Sequence, residues 1–92
     1  MKTWRKQPGD RLDYDFIFTD WLRADHDHIT SVEVDSPKGI EFIGTAFEDA
    51  SDTVKLWFAG GTNGQQYKCA LRVTTAKGRV KEVDFIIVVV EI

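Results

Sequence analysis

The sequence has few of the features that mark disulfide-bonded, zinc-bound or membrane-spanning proteins. Its single cysteine, Cys69, excludes an intramolecular disulfide and a cysteine zinc cluster. The longest apolar run, Phe85 to Val90, is far shorter than the ~20 residues that a membrane helix needs. The basic start is not followed by the hydrophobic stretch of a signal peptide. We therefore expect no membrane association, and synthesis and retention in the cytoplasm unless something larger carries the protein out.

The charge balance argues against nucleic acid as a partner. Twelve basic and 15 acidic side chains give a formal net charge of -3, which leaves no broad basic surface for DNA or RNA. Hydrophobic residues make up 42% and aromatic residues 12% of the 92 positions, too many for a disordered chain. The composition indicates one small folded domain.

Alternation of apolar and polar residues runs through most of the chain and predicts strands with one buried face. Helical periodicity nowhere exceeds one turn, although Asp20 could cap a short helix that continues to Ala24. The predicted strands are Leu12–Phe18, Ile29–Ser36, Ile40–Phe47, Val54–Phe58, Gln66–Thr75 and Val80–Glu91.

The strand count and spacing predict an all-β fold, an immunoglobulin-like antiparallel β-sandwich of six to seven strands. We assign residues 11–92 to this domain and residues 1–10 to an N-terminal extension that could be mobile. Tyr67 begins the penultimate strand after a glycine-rich reversal, two residues before Cys69. This is the position of the tyrosine corner in such sandwiches, although the ring could equally be a simple core aromatic.

The densest group of potential metal ligands is the run from Asp25 to His28. In an extended segment its carboxylates and imidazoles point to opposite sides, so neither pair supplies three convergent ligands, and no other histidine exists. We interpret the run as a solvated loop and predict no metal site, while leaving open whether it binds anything.

No arrangement typical of catalysis is evident. Cys69 lies on the predicted inward face and is expected to be a buried small hydrophobe, without a neighbouring base. Asp13 and Asp15 lie on the solvent-exposed face of one predicted strand. The glycine-rich segment 60–64 lacks the Lys-Ser/Thr ending of a phosphate-binding loop. We therefore predict no catalytic residues, no cofactor and no enzymatic activity.

The last predicted strand is apolar on both faces and supplies the main candidate interface. If its core row contains Phe85, Ile87 and Val89, the intervening apolar residues point outward and need a cover. That cover could be the N-terminal segment around Trp4 or a partner protein. The candidate interface residues are Ile86, Val88, Val90, Trp4 and Trp21.

Several segments resemble a family of small proteins encoded among the tail genes of tailed phages and prophages. The resemblance covers nearly the whole chain from Lys6. Its segments are Lys6–Asp10 with Leu12–Phe16, Asp20–Leu22, the Trp-x-x-Gly-Gly-Thr-x-Gly-x-x-Tyr run from Trp57 to Tyr67, and Thr74–Val80. The resemblance implies an immunoglobulin-like virion protein, a fiber-tail adaptor, with no catalytic residues to carry over.

On this resemblance we predict a non-enzymatic structural protein of a phage or prophage tail that links virion components through its surface. Its partners would be other tail or fiber proteins, and the isolated chain would be a monomer or self-associate weakly. It would occupy the host cytoplasm before assembly and the virion tail afterwards. The alternative is a soluble immunoglobulin-like module that binds a carbohydrate or another ligand through Trp4, Trp21 and the acidic loop.

Overall fold

The computed structural model describes residues 1–47 and 52–91, which form strands and one short helix. The elements are β1 (Lys2–Lys6), β2 (Arg11–Ile17), α1 (Thr19–Arg23), β3 (Ile29–Asp35), β4 (Ile40–Ala46), β5 (Thr53–Gly60), β6 (Gln66–Thr75) and β7 (Val80–Val89). The alternation of apolar residues therefore located β2 to β7 to within a few residues at each end.

Two sheets pack face to face, one of four strands in the order β1-β7-β6-β3 and one of three in the order β2-β5-β4. The second to seventh strands occupy the places of strands B to G in a constant-type immunoglobulin sandwich, where B, E and D form one sheet and C, F and G the other. The predicted all-β, immunoglobulin-like sandwich is confirmed.

β1 is a strand that the alternation did not predict. It runs parallel to β7, with Lys2 opposite Phe85 and Lys6 opposite Val89, whereas the other strand pairs are antiparallel. Residues 2–6 of the predicted N-terminal extension thus extend the four-stranded sheet. Whether this segment moves in solution stays a prediction.

The core lies between the sheets and is built from the inward rows of four strands. Period-2 alternation sends every second residue to this side, and these side chains are less than a tenth exposed. The rows are Tyr14 and Phe16 of β2, Val54, Leu56 and Phe58 of β5, Cys69, Leu71 and Val73 of β6, and Phe85, Ile87 and Val89 of β7.

The helix α1 closes one end of the sandwich by burying Leu22 completely. It begins two residues earlier than a helix capped by Asp20 would, and its cap position is Phe18, which makes no side-chain capping hydrogen bond. The prediction that Asp20 is the cap was wrong. Asp20 lies in the first turn, where its negative charge still complements the helix dipole.

Candidate interaction surface

The outer face of the four-stranded sheet carries an apolar stripe on β7. Ile86 and Val88 are half-buried and point away from the core, because their neighbours Phe85, Ile87 and Val89 form the inward row. Val90 follows the strand, and its N–H donates to the carbonyl of Lys6 at 3.0 Å. We call Ile86, Val88 and Val90 the outer stripe.

The outer stripe is bordered by polar side chains of the adjacent strands. Ile86 lies between Thr3 of β1 and Lys68 of β6, and Val88 lies between Arg5 of β1 and Gln66 of β6. β1 therefore lies beside the stripe and does not fold across it.

Trp4 is placed at the seam between the sheets and not on the outer face. Its ring stacks on Tyr14 with centroids 4.6 Å apart, and it contacts Phe16 and Phe85 at 4.9 and 5.2 Å. These contacts are typical of aromatic packing within a core. Trp4 is thus separated from the outer stripe, with which the sequence had grouped it.

Trp21 lies on α1 at the opposite end of the same seam. It is half-buried, and its ring meets Phe18 edge-on with centroids 6.1 Å apart. The Arg79 guanidinium lies 4.3 Å and the Lys81 ammonium 5.3 Å from the ring centroid, within the range of cation–π contacts. The structure does not bring Trp21 together with Trp4 or the outer stripe.

The loop from Asp25 to His28 is held by Arg79, which lies in the turn between β6 and β7. Arg79 Nε lies 3.0 Å from Asp27 Oδ2, one of its terminal nitrogens lies 3.1 Å from Asp25 Oδ2, and the other donates to the Trp21 carbonyl at 3.1 Å. Trp21, Asp25, Asp27 and Arg79 form what we call the Arg79 clasp. The planar guanidinium makes this possible, since its fork of donors serves several acceptors at once.

Asp27 is the centre of the clasp, and its carboxylate is fully buried. Burial alone would raise its pKa, but hydrogen bonds from the Thr75 hydroxyl, the N–H groups of His28 and Lys77, and the Arg79 side chain lower that pKa to about 2. The interpretation of the whole run as a solvated loop was therefore wrong for Asp27. The sequence carries no signal for this burial, because the partners of Asp27 other than His28 lie about fifty positions along the chain.

The remaining candidates from the sequence were metal ligands and a nucleophilic cysteine. Across residues 1–47 and 52–91, no three His, Cys, Asp or Glu side chains are placed to hold a metal ion. Burial raises the pKa of the Cys69 thiol to about 11, so the thiolate nucleophile is strongly disfavoured at neutral pH. Within the same described ranges, no helix is long and apolar enough to cross a membrane.

Tyr67 occupies the corner between β5 and β6. Its hydroxyl oxygen accepts a hydrogen bond from the Thr62 N–H at 2.9 Å, five residues upstream. Two glycines make room for the ring: a Cβ at Gly39 would lie 3.0 Å and one at Gly61 would lie 3.3 Å from Tyr67 atoms. Both glycines have positive φ, which other residues rarely adopt.

Lys6 is a buried cation that no pattern in the sequence singles out. Its side chain ends between the carbonyl oxygens of Gln7, at 2.6 Å, and Gly60, and so ties the end of β1 to the end of β5 in the other sheet. Burial lowers its pKa, while the nearby Asp10 acts in the opposite direction. The ammonium thus joins the two sheets through main-chain acceptors.

Together, the fold and these contacts define a small immunoglobulin-like β-sandwich in which the conspicuous polar groups hold the structure together. The sequence matches, over residues 6–88, the family described as Podophage GP4 fiber-tail adaptor protein gp77. The chain belongs to this family, as the sequence resemblance predicted. No curated protein matches the chain.

Proposed function

We propose that this chain is a non-enzymatic component of a phage or prophage tail, which joins tail and fiber proteins through its surface. The family match over residues 6–88 carries the proposal, because that family consists of fiber-tail adaptors, which are structural proteins. Its partners would be other tail or fiber proteins, met in the host cytoplasm during assembly.

The outer stripe is the surface that we propose for one of these contacts. β-branched apolar residues on the solvent face of a sheet gain free energy when a partner covers them. Ile86 and Val88 have polar neighbours on both sides, including Arg5 and Lys68. An apolar centre within a polar rim is the usual organisation of a protein–protein interface.

The substitution Val88→Lys tests this surface. It should abolish or strongly weaken incorporation into particles, or capture of the neighbouring tail protein, because a charge would replace the apolar centre of the contact. It should change the thermal midpoint little, since Val88 points away from the core. Ser31→Lys on β3 is the matched control. It adds the same charge to the outer face of the same sheet, at an exposed position on the edge strand farthest from β1.

A large loss of stability in Val88→Lys would show that Val88 belongs to the protein's own core, and normal incorporation would place the contact elsewhere. The broader proposal is tested by locating the chain in purified particles with antibody labelling and mass spectrometry. Absence from particles that contain the neighbouring tail proteins would contradict it. The isolated chain should sediment as a monomer or a weakly associating species, because the natural partner is a different protein.

A further inference from the structure

Trp57, the third tryptophan of the chain, lies on β5, the central strand of the three-stranded sheet. Its neighbours Leu56 and Phe58 are fully buried in the core. Because side chains alternate along a strand, Trp57 points to the outer face of this sheet, where it is half-buried. This face is on the other side of the sandwich from the outer stripe.

The ring of Trp57 lacks the cover that the other two tryptophan rings have. Trp4 stacks on Tyr14, and Trp21 lies against the Arg79 guanidinium. Within residues 1–47 and 52–91, no aromatic ring and no cation lies on Trp57. Its indole N–H has no acceptor in these ranges, and no buried polar side-chain atom there lacks a partner, so this N–H faces solvent.

The neighbours of Trp57 on β4 and along β5 leave its ring accessible. Gly44 lies opposite Trp57 on β4, and a Cβ at this glycine would meet no atom within 4 Å. Ala59, the next outward residue of β5, is also small, and it lies between Arg11 of β2 and Glu41 of β4. These two side chains have opposite charges, so this side of the surface is open and carries no net charge.

The neighbours of Trp57 on β2 are acidic. Asp13 lies directly opposite Trp57, and Asp15 is the next outward residue of β2. Lys55 Nζ lies 2.6 Å from Asp13 Oδ2 and 3.0 Å from Asp15 Oδ1, so one ammonium serves both carboxylates and a net negative charge is left. The two carboxylate side chains are 40% and 45% exposed and can accept further hydrogen bonds. We call Asp13, Asp15, Lys55 and Trp57 the Trp57 face.

The Arg79 clasp shows that the same protein already uses this combination of side chains to bind a guanidinium. There, Arg79 lies 4.3 Å from the centroid of the Trp21 ring and pairs with the carboxylates of Asp25 and Asp27. Trp57 likewise has two aspartates beside it, and Lys55 balances the charge of only one of them. The Trp57 face therefore offers a guanidinium the same kinds of contact as the clasp.

We propose that the Trp57 face binds an arginine side chain of a partner protein. The guanidinium would stack on the indole ring and donate hydrogen bonds to Asp13, the carboxylate opposite Trp57. Arginine suits both contacts, because its planar group stacks on aromatic faces and its fork of donors matches a carboxylate. A lysine ammonium is more strongly hydrated and cannot stack in this way, and a neutral sugar would gain nothing from the net negative charge. Tryptophan and arginine are also the residues that most often dominate protein–protein contacts.

The proposal goes beyond the proposed function, since it names the chemistry of a contact on the face opposite the outer stripe. Its test is an NMR titration of the isolated protein with Nα-acetyl-arginine amide. We expect saturable shifts of the Trp57 indole N–H and of the amides of Asp13 and Gly44. Nα-acetyl-lysine amide should bind several-fold more weakly, and Nα-acetyl-citrulline amide, which keeps the shape of arginine without its charge, should bind more weakly still.

The substitution Lys55→Gln gives the sharpest test, because it removes the cation that competes for both carboxylates. It should tighten arginine binding several-fold, a gain that partial unfolding could not produce. Asp13→Asn should weaken binding several-fold, and Trp57→Leu should abolish it. Glu33→Gln is the matched control for Asp13→Asn: it removes a carboxylate that pairs with Arg72 at 3.1 Å on the outer face of the other sheet, and it should leave binding unchanged.

Four outcomes would overturn the proposal. They are the absence of a saturable shift at Trp57, equal binding of the three probes, unchanged or weaker arginine binding in Lys55→Gln, and shifts centred on carboxylates of the other sheet. A separate titration with methyl glucoside distinguishes a sugar site, since shifts of Trp57 with this probe and not with the arginine probe would also refute the proposal. All of these outcomes are independent of whether the chain is found in particles.

Discussion

Replacing Tyr67 by phenylalanine isolates the contribution of one hydroxyl group to the stability of the sandwich. The ring is 7% exposed and would keep its packing near Gly39 and Gly61, while the 2.9 Å hydrogen bond from the Thr62 N–H would be lost. A net loss of about 0.5–1.5 kcal/mol is expected for such a bond. Since Thr62 is exposed and its N–H can turn to water, we expect a value near the middle of that range, about 1 kcal/mol.

The assay is equilibrium unfolding in urea, followed by tryptophan fluorescence, together with a thermal scan. About 1 kcal/mol corresponds to a decrease of roughly 4–8 °C in the melting temperature of a domain of this size. Tyr14→Phe is the matched control, because its hydroxyl donates to the Arg5 carbonyl over a longer distance, 3.4 Å, and should contribute less. An unchanged midpoint in Tyr67→Phe, or a larger decrease in Tyr14→Phe, would refute the assignment of Tyr67 as a stabilising corner.

Three further results are expected. Gly61→Ala should destabilise by more than about 1 kcal/mol in urea unfolding, because φ is +95° and the new Cβ would lie 2.6 Å from Val89 Cγ2; Gly64→Ala, with positive φ but open space, should cost less. Asp27→Asn should flatten the pH dependence of the free energy of unfolding. Ionised Asp27 stabilises the native state above its ordinary pKa of 3.8, and this stabilisation is lost as the pH falls toward about 2. Parallel stability curves for the wild-type protein and the variant would contradict the role of Asp27 in the clasp. Stoichiometric Zn²⁺ or Ca²⁺ should leave the melting temperature and the backbone NMR chemical shifts unchanged. Saturable changes of chemical shift confined to residues 25–28 and one distant segment would disprove this.

The faces of six strands could be read from the sequence, because the side-chain period of a strand depends only on local geometry. β6 is the clearest case: Gln66–Thr75 was predicted with the bounds that the structure has. Its inward row of Tyr67, Cys69, Leu71 and Val73 is buried as the alternation implied. The same logic separated the core row of β7 from the outer stripe.

β1 was not predicted from the sequence, because its five residues include only one apolar side chain, Trp4, and show no alternation of apolar and polar residues. It becomes a strand by pairing with β7, about eighty positions along the chain, and by stacking Trp4 on Tyr14. Such pairing depends on the whole sandwich being formed. Local sequence cannot encode it, since the partner groups are absent from the segment itself.

The sequence by itself determined the fold class, the family and the inward and outward faces of most strands, because these depend on local periodicity and on the order of short motifs. Only the tertiary structure decided which polar side chains have hydrogen-bond or ion-pair partners, and which partners these are. It placed Asp27 under Arg79 and Lys6 between two carbonyl groups. Those outcomes depend on distances between residues far apart in the chain, which only the folded packing of the two sheets establishes.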